Sequence, residues 1–408
     1  MDIFMIGVAV MGCGVVGYGV VQMLLENHDA VSRVTGQDVR PLCMLDIREL
    51  DVPEGVKLTH NFEDILADDA VKIVVETIGG NRVAYEFTRR ALESGRHVVT
   101  SNKELVATRG DELVKLASEH HVSYLYEASV GGGIPVLHPI MRCLQGNRLT
   151  RVDGIVNGST NYLLTQMRDL GVSFPAALGE AKRLGYVEAD PAADVEGWDA
   201  RRKLAILANA CFGSKFADEA VIPTQGISAV TEQDMAAAAA FGGAVKLIAH
   251  AELSEDGASW SGWVHPAFVP AAHPLYNVND VFNAIIVHGD YVDDVMFFGR
   301  GAGRRATASA VVGDVIEIAR SMGVFVPTAE RAAVPAFNAV CPTARRRLMR
   351  VPAEAEPVMA MFAADWAIKP CAGELAVLTA PLTDAEFDAQ AASLSARGVI
   401  FSQPLLAV

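Results

Sequence analysis

The stretch at residues 188–203, EADPAADVEGWDARRK, holds the side chains of this chain best suited to acid–base chemistry. Its second half predicts a helix that starts near Trp198. Asp199 and Lys203 are four residues apart on that helix, so they lie on one face within reach of each other. The apolar run from Leu204 predicts that the flank of the helix is buried and that its first turn faces a cleft. The other carboxylates of the stretch belong to Glu188, Asp190, Asp194 and Glu196.

These residues alone support two interpretations. A lysine held among carboxylates at the edge of a cleft is a candidate proton donor, because its surroundings tune how readily it gives up its proton. The same side chains could instead form a solvated network of helix caps and salt bridges. The choice between the two depends on the rest of the chain.

A glycine-rich turn near the N-terminus predicts a dinucleotide site. The apolar run at 5–11 is typical of a buried parallel strand, and GCGVVG follows it at 12–17, ahead of a helix-like run. This is the G-x-G-x-x-G motif in the strand–turn–helix context that it requires. The first glycine makes the turn, the second lets a pyrophosphate approach and the third allows close packing. The candidate cofactor residues are Gly12, Gly14, Val15, Val16 and Gly17.

Polar residues follow three further predicted strands. The strand at 39–45 ends at Asp46, and a carboxylate there binds the ribose 2′-OH and repels a 2′-phosphate, which favours NAD. Arg48, two residues later, could still serve a 2′-phosphate. The strands at 72–76 and 97–101 end at the same edge of the sheet, where ligands bind in such folds. The residues at those two ends are Thr77, Ser101 and Lys103.

Two further glycine clusters have open interpretations. Glu127 opens EASVGGGIPV, where one carboxylate and several backbone carbonyls could hold a hard cation, although a flexible turn explains the same residues. The cluster at 299–303 precedes a helix predicted over 307–322. It either returns backbone amides to the cofactor site or simply begins that helix.

The order of predicted elements divides the chain into three parts. Alternating strands and helices over 1–148 predict a Rossmann-type, doubly wound parallel sheet, to which a segment at about 300–330 returns. They include a helix predicted over 111–120 and a strand predicted over 122–127. The mixed pattern over 149–299 predicts an α+β catalytic and dimerisation domain, in which STNYLLTQM begins a helix with Ser159 or Thr160 as its cap. Residues 343–408 read β-α-β-β-α-β and predict a small independent module.

Composition limits the class of protein. The net charge of −15 argues against nucleic acid or an anionic membrane as a partner. The six cysteines are scattered without a metal-binding spacing, as expected for reduced thiols in the cytoplasm. Residues 3–25 are long and apolar enough for a membrane span, but glycines interrupt the run and no basic segment precedes it.

Several segments together resemble homoserine dehydrogenase across roughly residues 3–330. The matching segments include ETIGG (76–80), TSNKELVA (100–107), EASVGGGIPV (127–136), NGSTNYLL (157–164), LGYVEADPAADVEGWDARRKLAI (184–206) and GRGAGRRATASAVVGD (299–314). The resemblance implies NAD(P)-dependent interconversion of L-aspartate 4-semialdehyde and L-homoserine, in threonine and methionine biosynthesis. It also implies a homodimer or homotetramer.

The resemblance assigns roles by motif position. It implies that Lys203 is the proton donor, that Lys103 is a second active-site lysine and that Asp199 is a catalytic residue that also helps to bind the substrate. The implied substrate-binding residues are Glu188, Asp194, Thr160 and Gly158. Thr77 and Gly303 match positions that contact the nicotinamide half of the cofactor. The implied sodium or potassium site comprises Glu127, Val130, Gly132 and Ile134.

Three positions depart from the family pattern. Leu45 stands where many relatives carry an arginine that helps to bind the NADP phosphate, which favours NAD here. Ala306 replaces the proline of GAG-x-x-P-T. The C-terminal module looks like an ACT-type regulatory domain, but its turn VPAEAEPV lacks the D-x-P-G at which an amino-acid effector docks. We therefore expect weak or no inhibition by L-threonine.

Two alternative functions are less consistent with the sequence. Aspartate semialdehyde dehydrogenase acts on the same aldehyde but needs a thiolate nucleophile, and none of the six cysteines has a context that suggests one. A non-catalytic, cofactor-binding regulatory paralogue would be expected to lose the lysine–carboxylate set, which is complete here.

Overall fold

The computed structural model describes residues 4–187, 190–216, 221–322, 334–339, 343–357, 359, 366–402 and 404–408. The chain divides into two compact units. The first comprises Met1–Arg148, Ala205–Glu219 and Gly299–Pro335, and the second comprises Leu149–Leu204, Ala220–Phe298 and Ala336–Val408. Within the described residues, no helix is both long and apolar enough to cross a membrane.

The described helices are, in chain order, α1 (Val15–Glu26), α2 (His28–Thr35), α3 (Phe62–Ala67), α4 (Arg82–Glu93), α5 (Lys103–Glu119), α6 (Gly158–Leu170), α7 (Phe174–Arg183), α8 (Ala192–Val195), α9 (Trp198–Phe212), α10 (Glu232–Ala240), α11 (Arg304–Ser321) and α12 (Asp384–Ala396). The described strands are β1 (Met5–Met11), β2 (Asp38–Leu45), β3 (Lys57–Thr59), β4 (Val71–Glu76), β5 (His97–Thr100), β6 (Tyr124–Leu125), β7 (Leu149–Ile155), β8 (Gly243–Leu253), β9 (Ser259–Pro270), β10 (Phe282–Gly289), β11 (Asp293–Arg300), β12 (Ala336–Phe337), β13 (Arg347–Pro352), β14 (Ala367–Cys371), β15 (Glu374–Leu378) and β16 (Leu405–Ala407).

A six-stranded sheet organises the first unit. Its strand order is β3-β2-β1-β4-β5-β6, and every neighbouring pair is parallel. The chain leaves β1 in one direction to β2 and returns on its other side to β4, so the strand order reverses beside β1. Ligands bind at this reversal in doubly wound sheets. The predicted Rossmann-type parallel sheet is confirmed.

The core of the first unit explains why its segments form these elements. Strand β1 is buried along almost its whole length, as its unbroken apolar sequence predicts for a central parallel strand. Buried residues of α1 and α11 share one apolar cluster with β1, including Val20, Val21, Val311 and Val315. The segment after residue 299 therefore packs within the first unit.

A larger mixed sheet organises the second unit. Its strand order is β11-β10-β7-β8-β9-β16-β13-β15-β14, and β12 pairs with β9. Strands β7, β8, β9 and β10 are joined by antiparallel pairings, of which β8 with β9 is the longest. Ile155, Ile248 and Ala284 belong to one buried cluster between this sheet and the segment before β10.

The C-terminal region does not form an independent sheet, contrary to the sequence-based expectation. Its four described strands and α12 occur in the expected order and share a core that includes Met349, Val377 and Leu394. However, β16 pairs in parallel with β9, so the two sheets are one. The predicted first helix of this module falls mostly outside the described residues.

Two predicted boundaries in the first unit are wrong. Helix α5 begins at Lys103, well before the predicted start at residue 111, because the Asn102 side chain caps it by accepting a hydrogen bond from the Leu105 amide. The strand predicted over 122–127 is limited to β6, because Glu127 begins a short 3₁₀ turn.

Candidate active site

The predicted lysine–carboxylate pair is present in the first turns of α9. Lys203 Nζ donates hydrogen bonds to Asp199 Oδ2 and to the Val156 carbonyl oxygen, each over 2.7 Å. Lys203 is 8% exposed and Asp199 4% exposed. A solvated network is therefore wrong for this pair. Removing two charges from water is costly unless they are paired and hydrogen-bonded, as these are.

Asn157, to which the sequence motifs assign no role, joins this pair to a second predicted carboxylate, that of Asp194. Its side-chain Nδ2 donates to Asp194 Oδ1 over 2.7 Å and to Asp199 Oδ2 over 2.8 Å. Asp194 lies in α8 and Asp199 in α9, so one amide links two helices. The sequence signal that could have identified Asn157 is its position directly before α6, because asparagine is a preferred N-cap residue.

That asparagine also caps α6, where the sequence predicted Ser159 or Thr160 as the cap. Asn157 Oδ1 accepts hydrogen bonds from the Thr160 amide over 2.8 Å and from the Thr160 hydroxyl over 3.0 Å. Thr160, a predicted substrate-binding residue, is buried and committed to this cap. Gly158 allows close packing, because a Cβ there would lie 2.7 Å from the Val281 carbonyl oxygen. Glu188, the fourth predicted substrate residue, lies outside the described residues.

The predicted cofactor turn in the first unit has the geometry that its three glycines require. Gly12 has φ +95°, and a Cβ at Gly17 would lie 2.0 Å from the Gly12 carbonyl oxygen, so neither tolerates a side chain. Nothing lies within 4 Å of a Cβ at Gly14. Gly14 is also the N-cap of α1 and has no side chain to cap the helix amides. These features fit a pyrophosphate approaching the first turn of α1, which carries Val15 and Val16.

Thr77 and Asp46 hold this turn from two sides. The Thr77 hydroxyl donates to the carbonyl oxygens of Met11 (3.0 Å) and Gly12 (2.9 Å). The Cys13 amide donates to Asp46 Oδ2 over 2.9 Å. Thr77 therefore supports the glycine turn through its side chain.

Arg48 forms a two-point ion pair with Asp46. Its Nε lies 2.9 Å from Oδ1 and its second terminal nitrogen 2.9 Å from Oδ2. The Arg48 guanidinium is the main cause that holds the pKa of Asp46 well below its usual range, and the amides of Cys13 and Arg48 add to it. Asp46 is thus ionised at any ordinary working pH, as a ribose-binding carboxylate must be.

The ends of β4 and β5 bring the remaining predicted residues of the first unit to one edge. Glu76, at the end of β4, accepts hydrogen bonds from the Thr100 hydroxyl (2.6 Å) and the Ile78 amide (2.8 Å), and burial raises its pKa. Ser101 follows β5, and Lys103 begins α5 two residues later. Gly303, with φ +118°, is the N-cap of α11, and open space surrounds its Cβ position.

The carboxylate of Glu127 is surrounded by backbone amides. It accepts hydrogen bonds from Val136 (2.6 Å), Leu137 (3.0 Å) and His138 (2.5 Å). Burial is the main cause that raises its pKa, and these amides oppose the shift. Any cation here would have to take most of its ligands from backbone carbonyls. The predicted carbonyls belong to Val130, Gly132 and Ile134.

A doubly wound sheet with a dinucleotide-type turn, together with a buried lysine hydrogen-bonded to a carboxylate, defines an NAD(P)-dependent oxidoreductase. Comparison with protein families identifies the kind of oxidoreductase. A family described as homoserine dehydrogenase matches residues 135–316, and the NAD binding domain of homoserine dehydrogenase matches residues 12–127.

Individual proteins agree with the family match. The homoserine dehydrogenase of Synechocystis sp. is 41% identical over 318 residues, which cover 76% of this chain and 72% of that protein. The crystal structure of a homoserine dehydrogenase from Thiobacillus denitrificans is 31% identical, with a TM-score of 0.90 over 100% of this chain and 99% of that chain. A hyperthermophilic archaeal homoserine dehydrogenase in complex with NADPH is 26% identical, with a TM-score of 0.64 over 77% of this chain and 97% of that chain.

The chain belongs to the homoserine dehydrogenase family. The resemblance found in the sequence is confirmed, as is the prediction of a nicotinamide-dependent enzyme of amino-acid biosynthesis. The match with this family over both domains leaves no support for aspartate semialdehyde dehydrogenase.

Proposed function

We propose that this chain reduces L-aspartate 4-semialdehyde to L-homoserine, reversibly, with Lys203 as the proton donor. The observation that carries the proposal is the buried pair of Lys203 and Asp199, joined over 2.7 Å. Lys203 has a second acceptor in the Val156 carbonyl, so the direction of its ammonium group is fixed by two bonds. A lysine fixed in this way is suited to deliver a proton to one oxygen atom.

Each residue then has a defined task. When bound, the reduced nicotinamide supplies a hydride to the aldehyde carbon. Lys203 gives a proton to the aldehyde oxygen, directly or through water, and Asp199 keeps its ammonium group in place. Lys103 adds positive charge that stabilises the developing alkoxide. Glu188 binds the substrate amino group and Asp194 supports the site. Gly158 and Thr160 complete the substrate-binding residues.

We further propose NAD as the preferred cofactor. The Asp46 carboxylate is suited to the two hydroxyls of an adenosine ribose and repels a 2′-phosphate. Arg48 is engaged by that same carboxylate at both of its oxygens, so a phosphate would have to compete with Asp46 for it. Leu45 adds no charge at this position.

The remaining features of the proposal concern the rest of the chain. A sodium or potassium ion would bind the carbonyls of the 127–134 turn, and turnover in potassium compared with choline buffer tests this.

We also propose a cytoplasmic homodimer or homotetramer that pairs through the 149–299 domain. The cofactor domain would then be 1–148 with its return at about 300–330, and 343–408 would be an ACT-like domain with weak or no L-threonine response.

Turnover and thermal unfolding measured on the same Lys203→Ala sample test the proposal. We expect kcat for semialdehyde reduction to fall by roughly 10²–10⁴, the usual scale for a positioned acid–base group. The KM for NADH should hardly change. Lys182→Ala, on the exposed surface of α7, is the matched control and should behave as the wild type. A folded Lys203→Ala variant with wild-type kcat would refute the assignment.

A further inference from the structure

Asn157 uses every hydrogen-bonding position of its side chain, although it is only 6% exposed. Its Nδ2 group donates to Asp194 and Asp199, over 2.7 and 2.8 Å, and its Oδ1 atom accepts from the Thr160 amide and hydroxyl. A carboxamide has two donor hydrogens and two acceptor sites, so none is left over. The reversed amide would turn Oδ1 toward two carboxylates, so only one orientation is compatible with its surroundings.

The two carboxylates that share this amide would otherwise repel each other. Asp199 is buried and Asp194 half-buried, and both converge on one nitrogen. Asp199 Oδ2 also accepts the hydrogen bond from Lys203. Asp199 Oδ2 therefore accepts one hydrogen bond from the Asn157 amide and one from the Lys203 ammonium group. Because both bonds end on the same oxygen, the loss of either donor changes the position of that oxygen for the other.

We infer that Asn157 is a positioning residue for the reaction, which holds Asp194 and Asp199 together so that Asp199 directs Lys203. This inference rests on the proposed role of Lys203. It assigns the donor side of the amide to the active site and the acceptor side to the cap of α6. A misplacement of about 1 Å in a catalytic group can cost roughly 10²-fold in rate, so such a residue matters without touching the substrate.

The two sides of the side chain can be separated by substitution. A helix cap needs only an acceptor, and asparagine, aspartate and serine cap about equally well. Asn157→Ser keeps a capping oxygen but cannot reach both carboxylates. Asn157→Asp keeps the shape and the cap, replaces the donor with a second acceptor and adds a third negative charge. If Asn157 only caps α6, the proteins with asparagine, serine and aspartate at this position should turn over equally fast. If Asn157 positions the carboxylates, kcat should be highest with asparagine, lower with serine and lowest with aspartate.

The experiment compares kcat, the KM for semialdehyde, the KM for NADH and the unfolding temperature across this series. For Asn157→Ser we expect kcat to fall roughly 10- to 100-fold and the KM for semialdehyde to rise, with the KM for NADH unchanged. Asn157→Asp should lose more. Asn61, the exposed N-cap of α3, accepts the Glu63 amide over 3.1 Å and offers the matched control. Asn61→Ser and Asn61→Asp should leave all kinetic values at the wild-type level.

The outcomes separate this inference from the proposed function. A folded Asn157→Ser variant with wild-type kcat and KM, or an aspartate variant as active as the serine variant, overturns the positioning role. Lys203→Ala is measured alongside. If Lys203→Ala loses turnover while the Asn157 series is flat, only the positioning role fails. If Lys203→Ala keeps turnover, the proposed function fails first.

Discussion

At the scale of single residues, burial distinguishes the Lys203–Asp199 pair from an exposed ion pair within one helix, that of Glu180 and Arg183 on α7. Glu180 and Arg183 on α7 are also close, at 2.6 Å, but their side chains are 46% and 68% exposed. Water screens an exposed pair, whereas a buried ion that loses its partner has no replacement. The two kinds of pair should therefore respond differently to the same substitution.

Asp199→Ala should damage both turnover and stability. It removes the acceptor that Lys203 shares with Asn157 and leaves the buried ammonium group of Lys203 without this carboxylate, although its hydrogen bond to the Val156 carbonyl remains. We expect a lower kcat, a higher KM for semialdehyde and a loss of about 3–5 kcal/mol, the usual cost of breaking a buried pair. Steady-state kinetics and thermal unfolding check this.

The control for that measurement is Glu180→Ala on the exposed pair. It should leave the unfolding temperature and turnover nearly unchanged. Equal destabilisation by Asp199→Ala and Glu180→Ala would show that burial does not strengthen the Lys203–Asp199 interaction.

Asp46 should determine the choice of cofactor. We expect kcat/KM for NADH to exceed that for NADPH, and Asp46→Ser to shift the ratio toward NADPH, because it removes the carboxylate and releases Arg48. Arg48→Ala in the Asp46→Ser background should reverse that shift. A wild-type preference for NADPH of tenfold or more, about 1.4 kcal/mol, would contradict this account of the ribose site.

The sequence predicts this site only in part, and the reason is physical. The i, i+4 spacing places Asp199 beside Lys203 because helix geometry is local. Asn157 lies 42 residues before Asp199, and its contact depends on how β7 and α6 pack against α9. A local sequence pattern cannot predict a contact between residues so far apart in the chain.

At the scale of secondary-structure elements, Lys246 joins β8 to α6 and to the segment before β10. It is 1% exposed, and its Nζ donates to the Val278 carbonyl (2.6 Å), Asn279 Oδ1 (3.0 Å) and Asn161 Oδ1 (3.2 Å). Burial is the main cause that lowers the pKa of Lys246 to about 7; the positive charge of Arg168 adds to the shift, and the carboxylates of Asp169 and Asp280 oppose it. This lysine therefore makes the connection between the elements sensitive to pH.

Lys246→Met should change how stability depends on pH. Between pH of about 7 and about 10, the unfolded chain holds a proton on this lysine that the folded chain has lost. Stability contributed by this group therefore rises with pH across that window. The methionine variant should lack that rise. Unfolding temperatures of both proteins at several pH values from 6 to 10 measure it, and parallel pH curves would contradict it.

Element boundaries were harder to predict than element types. Strands β1, β2, β4 and β5 appear close to where their apolar runs place them, because burial on both faces leaves a strong pattern. Helix α5 starts earlier than predicted because the Asn102 side chain caps it there. A cap depends on a single residue, so a helix start that is predicted from apolar periodicity alone falls too late in the sequence.

At the scale of the whole molecule, the C-terminal region continues the sheet of the second unit. Leu406 pairs with Ala267 and Ala407 with Phe268, which places β16 between β9 and β13. Arg350 Nε also lies 2.9 Å from Asp234 Oδ1, in a pair that is mostly buried. The sequence predicted the order of these strands but could not show that they extend another sheet, since pairing partners far apart in sequence leave no local pattern.

Truncation before Arg345 should therefore destabilise the protein more than it alters any response to an effector. It leaves β9 without its β16 partner at Ala267 and Phe268, and an unpaired strand edge favours association between edges. We expect a lower unfolding temperature and aggregation on heating. Ala407→Pro, which removes the hydrogen bond from the Ala407 amide to the Arg346 carbonyl (2.9 Å), should cause a milder version. Tight L-threonine binding in calorimetry that truncation abolishes would contradict the expectation of a weak effector response.

The central claim is that Lys203 delivers the proton during reduction of the aldehyde, and a single-turnover measurement tests it most directly. Enzyme premixed with NADH is mixed rapidly with L-aspartate 4-semialdehyde, and the loss of NADH absorbance is followed for the wild type, Lys203→Ala and the Lys182→Ala control. This removes product release from the observed rate. The account predicts a rate lower by roughly 10²–10⁴ in Lys203→Ala alone, with NADH affinity unchanged. A folded Lys203→Ala protein that transfers hydride at the wild-type rate would contradict it.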